Sequence, residues 1–222
     1  MTGADQFVLD LPVRPAMGRA DFMVAAPNAD AVAWIDRWPE WPGPVLILYG
    51  PPGSGKTHLA QVWCSRTRAV EAGGIGDPVT EAAAKNGGAI CLDLNGTVQD
   101  EEGLFHLYNT ARAHSATVLL TGRTPVSGWS LSLPDLLSRL RAAPAVGLAL
   151  PDDALIGAIL VKLFADRQLD VEPNVLRYLL SRMERSFAAA GDVVNALDKA
   201  ALAARRRITI PLAKSVLDKK ND

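Results

Sequence analysis

Short runs of uninterrupted apolar residues recur from about Val45 to Leu150, and helical spacing fills the intervals between them. The runs are Val45–Tyr49, Ala89–Leu94, Thr117–Thr121 and Val146–Leu150, with a weaker one at Ala69–Glu71. None alternates apolar with polar positions, so each predicts a strand buried on both faces. Helical spacing predicts helices over Asn28–Trp38, Lys56–Thr67, Glu101–His114 and Pro134–Arg141. Strands alternating with helices in this order predict an α/β unit on a parallel sheet. After Pro151 the strand signal ends, and helices are predicted over Asp152–Arg167, Pro173–Glu184, Asp192–Arg206 and Pro211–Lys219, with Asp153 and Pro173 as starting residues. The expected organisation is an extended, poorly anchored leader over 1–20, marked by Pro12, Pro15 and Gly18, then an α/β domain over 21–150 and a small all-helical domain over 151–222.

Composition narrows the function classes. The 222 residues suffice for one α/β core plus a small second unit. Lys and Arg number 23 against 24 Asp and Glu, for a net charge of −1. With no basic surplus, strong autonomous nucleic-acid binding is not expected. Arg205, Arg206 and Arg207 read as a cationic cluster at a helix C-terminus and not as a DNA-binding patch. Cys64 and Cys91 read as buried thiols, not a disulfide framework. His58, His106 and His114 have no metal-ligand spacing. No apolar run approaches the roughly 18 residues of a membrane span. The N-terminus lacks a basic-then-apolar export pattern, so a cytoplasmic location is expected.

One stretch carries specific chemistry. Gly50, Pro51, Pro52, Gly53, Ser54, Gly55, Lys56 and Thr57 fill the phosphate-binding pattern G-x-x-x-x-G-K-[ST]. Its glycines let backbone N–H groups curl around phosphate oxygens, Lys56 reaches the β- and γ-phosphates, and the Thr57 hydroxyl can ligate Mg²⁺. The predicted strand Val45–Tyr49 lies before it, and a helix containing His58 follows, whose N-terminus favours an anion. Bound ADP or ATP with Mg²⁺ is expected. Downstream, the run ending at Asp93 matches the acidic strand that orients Mg²⁺ in such sites, which makes Thr57 and Asp93 the candidate metal residues. The position after Asp93 is Leu94, where many motor-like ATPases hold a second carboxylate that polarises water. Without such a group tight binding with slow turnover is expected. Asp100, Glu101 and Glu102 are the nearby carboxylates able to substitute, but nothing in the sequence places them at the site.

The order of these segments resembles an AAA+ module and, more narrowly, the DnaA/Hda family. The resemblance spans nearly the whole chain and rests on the loop, the Asp93 strand, Val118–Pro125, and the segment Leu133-Pro134-Asp135-Leu136-Leu137-Ser138-Arg139-Leu140. It implies that Thr121 is the sensor residue at a strand end, near the γ-phosphate. Arg139 would be the finger projected into a neighbouring subunit's nucleotide, and Phe22 and Met23 would lie beside the adenine with Asn28 nearby. Trp129 is most simply a packing aromatic. Aligning the lid on Asn195-Ala196-Leu197 puts the family's lid arginine at or near Gly191, where there is no cation; Arg182 and Arg185 lie a turn or two away. The lack weakens recognition of the γ-phosphate, which makes a diphosphate resting state plausible.

The resemblance implies that DnaA-like initiators continue past the lid into a basic helix-turn-helix domain, and no such DNA-reading element is expected here. At the other end Gln6, Leu9 and Leu11 are similar to the Q-x-x-L-x-[LF] peptide that docks on the DNA polymerase III β sliding clamp, though an apolar strand packed on the core is an alternative. Such a peptide inserts its amide and apolar anchors into a preformed groove. The resemblance implies a regulatory adaptor that binds adenine nucleotide, reaches DNA indirectly through the clamp, and accelerates hydrolysis by DnaA, limiting re-initiation of replication. The alternative is a stand-alone DnaA-like or loader-type ATPase working as a homo-oligomer. A homodimer is compatible with either.

Overall fold

The computed structural model describes residues 22–94, 98–204 and 206–221. The leader with Gln6, Leu9 and Leu11 lies outside these residues. Among them the chain runs α1 (Ala29–Asp36), β1 (Val45–Tyr49), α2 (Lys56–Thr67), β2 (Val70–Glu71), α3 (Pro78–Lys85), β3 (Ala89–Asp93), α4 (Glu101–Ala113), β4 (Thr117–Gly122), α5 (Pro134–Ala142) and β5 (Ala145–Gly147). Four helices follow: α6 (Asp153–Asp166), α7 (Pro173–Leu180), α8 (Phe187–Ala204) and α9 (Ile210–Asn221). The strands form one five-stranded sheet in the order β2-β3-β4-β1-β5. Every pairing is parallel.

The uninterrupted apolar runs have the cause the sequence implied. In β1, Val45 and Ile47 pack into a core with α4 and α5, through Leu104, Leu107, Leu136 and Leu140. The alternate residues Leu46 and Leu48 pack on the opposite face against α1 and α2. Successive strand side chains point to opposite faces, so a strand covered on both sides needs apolar residues at every position. Trp63 of α2 is fully buried, stacked on Trp41 at 5.4 Å and set edge-on to Trp38. The lid helices have their own core, built on Ile156, Leu160, Phe164, Leu179, Val194 and Leu197.

Several boundaries move for identifiable reasons. β5 stops at Gly147 because its partner β1 stops at Tyr49, the residue opposite it. α8 begins at Phe187, ahead of the expected Asp192, because Ser186 caps it: the Ser186 Oγ accepts from Ala189 N at 3.1 Å. α7 ends at Leu180, short of Glu184, with Ser181 as its C-cap. Helix α3 has no counterpart in the sequence reading. It starts where the Asp77 carboxylate accepts from Val79 N and Pro78 takes the first helical position. It buries only Thr80 and Ala84, so its apolar stripe is faint.

Deleting the Trp63 side chain removes the centre of the aromatic cluster behind α2. Trp63→Ala is expected to lower unfolding free energy by about 3–5 kcal/mol. Denaturant unfolding checks this, and a loss below about 1 kcal/mol would mean the cluster collapses around the gap.

Candidate nucleotide-binding site

The site is assembled at the carboxyl ends of β1, β3 and β4, where the double-faced burial of the sheet stops. β1 leads directly into the loop 50–55, and α2 begins at Lys56. Gly53 and Gly55 have φ of 80° and 92°. This left-handed region costs glycine little, and it turns successive N–H groups toward one concavity. The first turn of α2 has no acidic residue and Gly55 offers no capping side chain, so the positive end of the helix faces the loop. Lys56 Nζ lies across the loop, donating to the carbonyl oxygens of Gly50 (2.7 Å) and Pro51 (2.9 Å). Partial burial lowers the Lys56 pKa, Asp93 opposes that effect, and Arg123 adds to it. The cradle, the lysine and the free helix end fit an anion of phosphate type.

Asp93 and Thr121 stand opposite each other in the β3–β4 register, and the Thr121 hydroxyl donates to Asp93 Oδ1 at 2.8 Å. Thr121 is buried and Asp93 exposed. No cluster of three or more His, Cys, Asp or Glu able to hold a metal occurs among the described residues. A Mg²⁺ at Thr57 and Asp93 would therefore draw further ligands from phosphate oxygens. Leu94 is 7% exposed and packs into the α4–α5 core. The neighbouring carboxylates are engaged elsewhere: Asp100 caps α4 by accepting from Gly103 N at 2.8 Å, and Glu101 accepts from Ser132 N and Leu133 N. The ring of Phe22 packs edge-on to His58 at 5.1 Å. The carbonyl of Met23 accepts from the buried Asn28 amide at 3.0 Å, which anchors this leading segment beside α2.

The lid reaches the loop at a place the sequence did not disclose. A Cβ on Gly53 would lie 2.9 Å from Cβ of Ser186, and one on Gly55 would lie 2.8 Å from Cε2 of Phe187. The start of α8 therefore rests on the phosphate loop. A Cβ at Gly191 would meet nothing within 4 Å, so this turn of α8 presents open space and no cation. Arg185 makes a two-point pair with Asp153, at 2.6 and 3.1 Å, and Arg182 stacks over Tyr178 at 5.4 Å. Both have their partners within the helical unit. Arg123 went unassigned in the sequence, although its field reaches Lys56; only the fold sets the end of β4 beside the loop.

Arg139 is not part of this constellation. It sits on α5 between the buried Leu136 and Leu140, with its guanidinium 5.0 Å from the ring centre of Phe105 and 5.4 Å from that of Tyr108. Among the described residues it makes no ion pair with Asp135, so the local helix pairing that its spacing allowed is not formed.

The lid and the core each have known counterparts. Residues 152–217 match the family model of the Hda lid domain. An uncharacterized protein of Haemophilus influenzae is 28% identical over 191 residues, covering 79% of this chain and 82% of that protein. Domain III of the replication initiation protein DnaA from Thermotoga maritima has a TM-score of 0.75 at 16% identity, covering 94% of this chain and 98% of that one. AMPPCP-bound DnaA from Aquifex aeolicus has a TM-score of 0.71 at 18% identity, covering 94% and 71%. At these identities the structural likeness is one of fold. Residues 152–217 thus match an Hda lid, and the chain as a whole has the fold of DnaA domain III.

Proposed function

We propose that this protein is a nucleotide-binding regulator that holds adenine nucleotide in its own loop and acts on a second ATPase, DnaA. The observation that carries this reading is an imbalance within the site. The residues suited to phosphate are the Gly53 and Gly55 nest and Lys56, with the Thr121–Asp93 pair suited to its metal. The residues for turning ATP over are missing or turned away, since Leu94 is in the core, Gly191 carries no side chain, and Arg185 is held by Asp153. That combination favours retention of a diphosphate over rapid turnover and speaks against a stand-alone ATPase. The nucleotide analogue in the Aquifex aeolicus DnaA structure supports adenine nucleotide as the ligand. Mg²⁺ held by Thr57 and Asp93 would neutralise phosphate charge.

Arg139 supplies the activity toward the partner in this reading. Its guanidinium is held on α5 over two rings of α4, and it is half-exposed. A planar guanidinium donates two parallel hydrogen bonds to phosphoryl oxygens and stabilises charge on a transferring phosphoryl group. Gln6, Leu9 and Leu11 would tether the protein to the sliding clamp and so confine its action to DNA-loaded clamps. The test is ATP hydrolysis by DnaA, measured with and without this protein, clamp and DNA.

Three outcomes are expected. Lys56→Ala should weaken ADP affinity by about 1.5–3 kcal/mol, roughly tenfold to more than a hundredfold, because a charge-assisted contact to phosphate is lost. Calorimetric titration showing unchanged affinity would place the nucleotide elsewhere. Arg139→Ala should stay folded and nucleotide-bound yet lose stimulation of DnaA, since fingers of this kind contribute about 10³–10⁵ in rate. Arg139→Lys should restore little, because a point charge lacks the fork; full stimulation by the alanine variant would refute the mechanism. Gln6→Ala, or Leu9→Ala with Leu11→Ala, should abolish clamp binding at a cost of about 2 kcal/mol or more per anchor. If these changes instead lower the thermal midpoint and leave clamp binding intact, residues 6–11 are a packed strand and not a docking peptide.

A further inference from the structure

The helix that carries Arg139 cannot hold its own beginning. Leu133 occupies the N-cap of α5 and has no side-chain acceptor, and Pro134 follows at the first helical position. The acceptor is supplied from α4. Both oxygens of Glu101 accept from Ser132 N, at 2.8 and 2.9 Å, and Oε2 also accepts from Leu133 N at 2.6 Å. These contacts, with Ser132 the stronger, hold the Glu101 carboxyl below the usual carboxylate range. The anchor is itself fixed. Glu101 opens α4, whose N-cap Asp100 is bonded to Gly103 N. Four and seven residues further along the same face of α4 are Phe105 and Tyr108, the rings beneath the Arg139 guanidinium.

We infer that Glu101 is a positioning residue for Arg139: by clamping the two backbone N–H groups at the start of α5, it sets where the guanidinium is presented to the partner's nucleotide. The inference rests on the reading of Arg139 as a finger. Arg139 lies six residues beyond the clamp, roughly 9 Å along the helix axis. Leu136 and Leu140 are buried and hold the inner face of α5 whether or not the clamp is present. Losing the clamp therefore frees the helix start and its tilt without unfolding the helix. A displacement of about 1 Å at a transferring group can cost about a hundredfold in rate.

Glu101→Ala, Glu101→Gln, Glu102→Ala and Arg139→Ala should be compared in full-length protein with DnaA, clamp and DNA. Titration of the protein should give the maximal stimulated rate and the half-saturating concentration separately. Expected for Glu101→Ala is a fall of about ten- to a hundredfold in maximal rate, with half-saturation, ADP affinity and thermal midpoint unchanged. Glu101→Gln keeps one carbonyl acceptor and should fall between. Glu102→Ala removes an exposed charge from the same helical turn and should match the unaltered protein. The inference is overturned if Glu101→Ala stimulates fully while Arg139→Ala is silent. It is equally overturned if the Glu102 variant loses as much rate, or if the loss tracks a drop in thermal midpoint in both Glu101 variants. Full stimulation by Arg139→Ala would instead remove the finger reading itself, and that result is visible in its own variant.

Discussion

Burial of the parallel sheet on both faces is the constraint on which the rest of the structure depends. β1 and β4 are buried on both faces and β3 is buried on one and partly covered on the other, so polar chemistry gathers at the ends of the strands. Parallel pairing brings those ends to one level: Tyr49 stands opposite Gly122, and Asp93 opposite Thr121. The phosphate loop, the acidic strand end and the hydroxyl at the end of β4 are neighbours because the register puts them there. Gly50 N donates to Gly122 O at 3.2 Å, so the loop is tied at its first residue to the strand that carries Thr121. This is the crevice outside the carboxyl ends of the strands, where open α/β sheets bind ligands.

The same constraint decides what a reader of the sequence can see. Continuous apolar runs such as Val45–Tyr49 and Thr117–Thr121 are conspicuous because two cores demand them, and the glycine spacing of the loop is conspicuous because left-handed φ demands it. The candidate residues on those elements stood out in the sequence for that reason. Helix α3 did not: it fully buries only Thr80 and Ala84, and two small side chains make no stripe. Nor did the early start of α8, because three alanines after Phe187 have no polar–apolar contrast and the cap depends on one serine. The seat of Ser186 and Phe187 on the loop had no local signal, since it joins residues more than a hundred positions apart.

That seat gives Gly53 and Gly55 two reasons to lack a side chain. Each has a φ that other residues adopt only under strain, and each lies where a Cβ would come within 3 Å of the lid. The surface that turns N–H groups toward the concavity of the loop is backed by the surface that receives α8. A side chain at either position would disturb both at once, through the backbone on one side and through lid packing on the other. Lid and loop are in this sense one joint, although the chain reaches them in different domains of its fold.

The polar side chains around this joint divide into those facing the loop and those that brace the frame. Lys56, Thr121 and Asp93 face the loop. Glu101, Asp100 and Asp153 are carboxylates too but are spent on backbone N–H groups or on Arg185. A carboxylate whose oxygens already accept from well-placed donors is stabilised as an anion, which makes it a poor proton acceptor. Proximity in sequence to Asp93 therefore does not make Glu101 a base, and Asp100 is engaged as the cap of α4. Their hydrogen bonds instead order the α4–α5 face, and that face carries Arg139. These acids brace the frame, and the polar side chains left at the loop are a lysine, a hydroxyl and one aspartate.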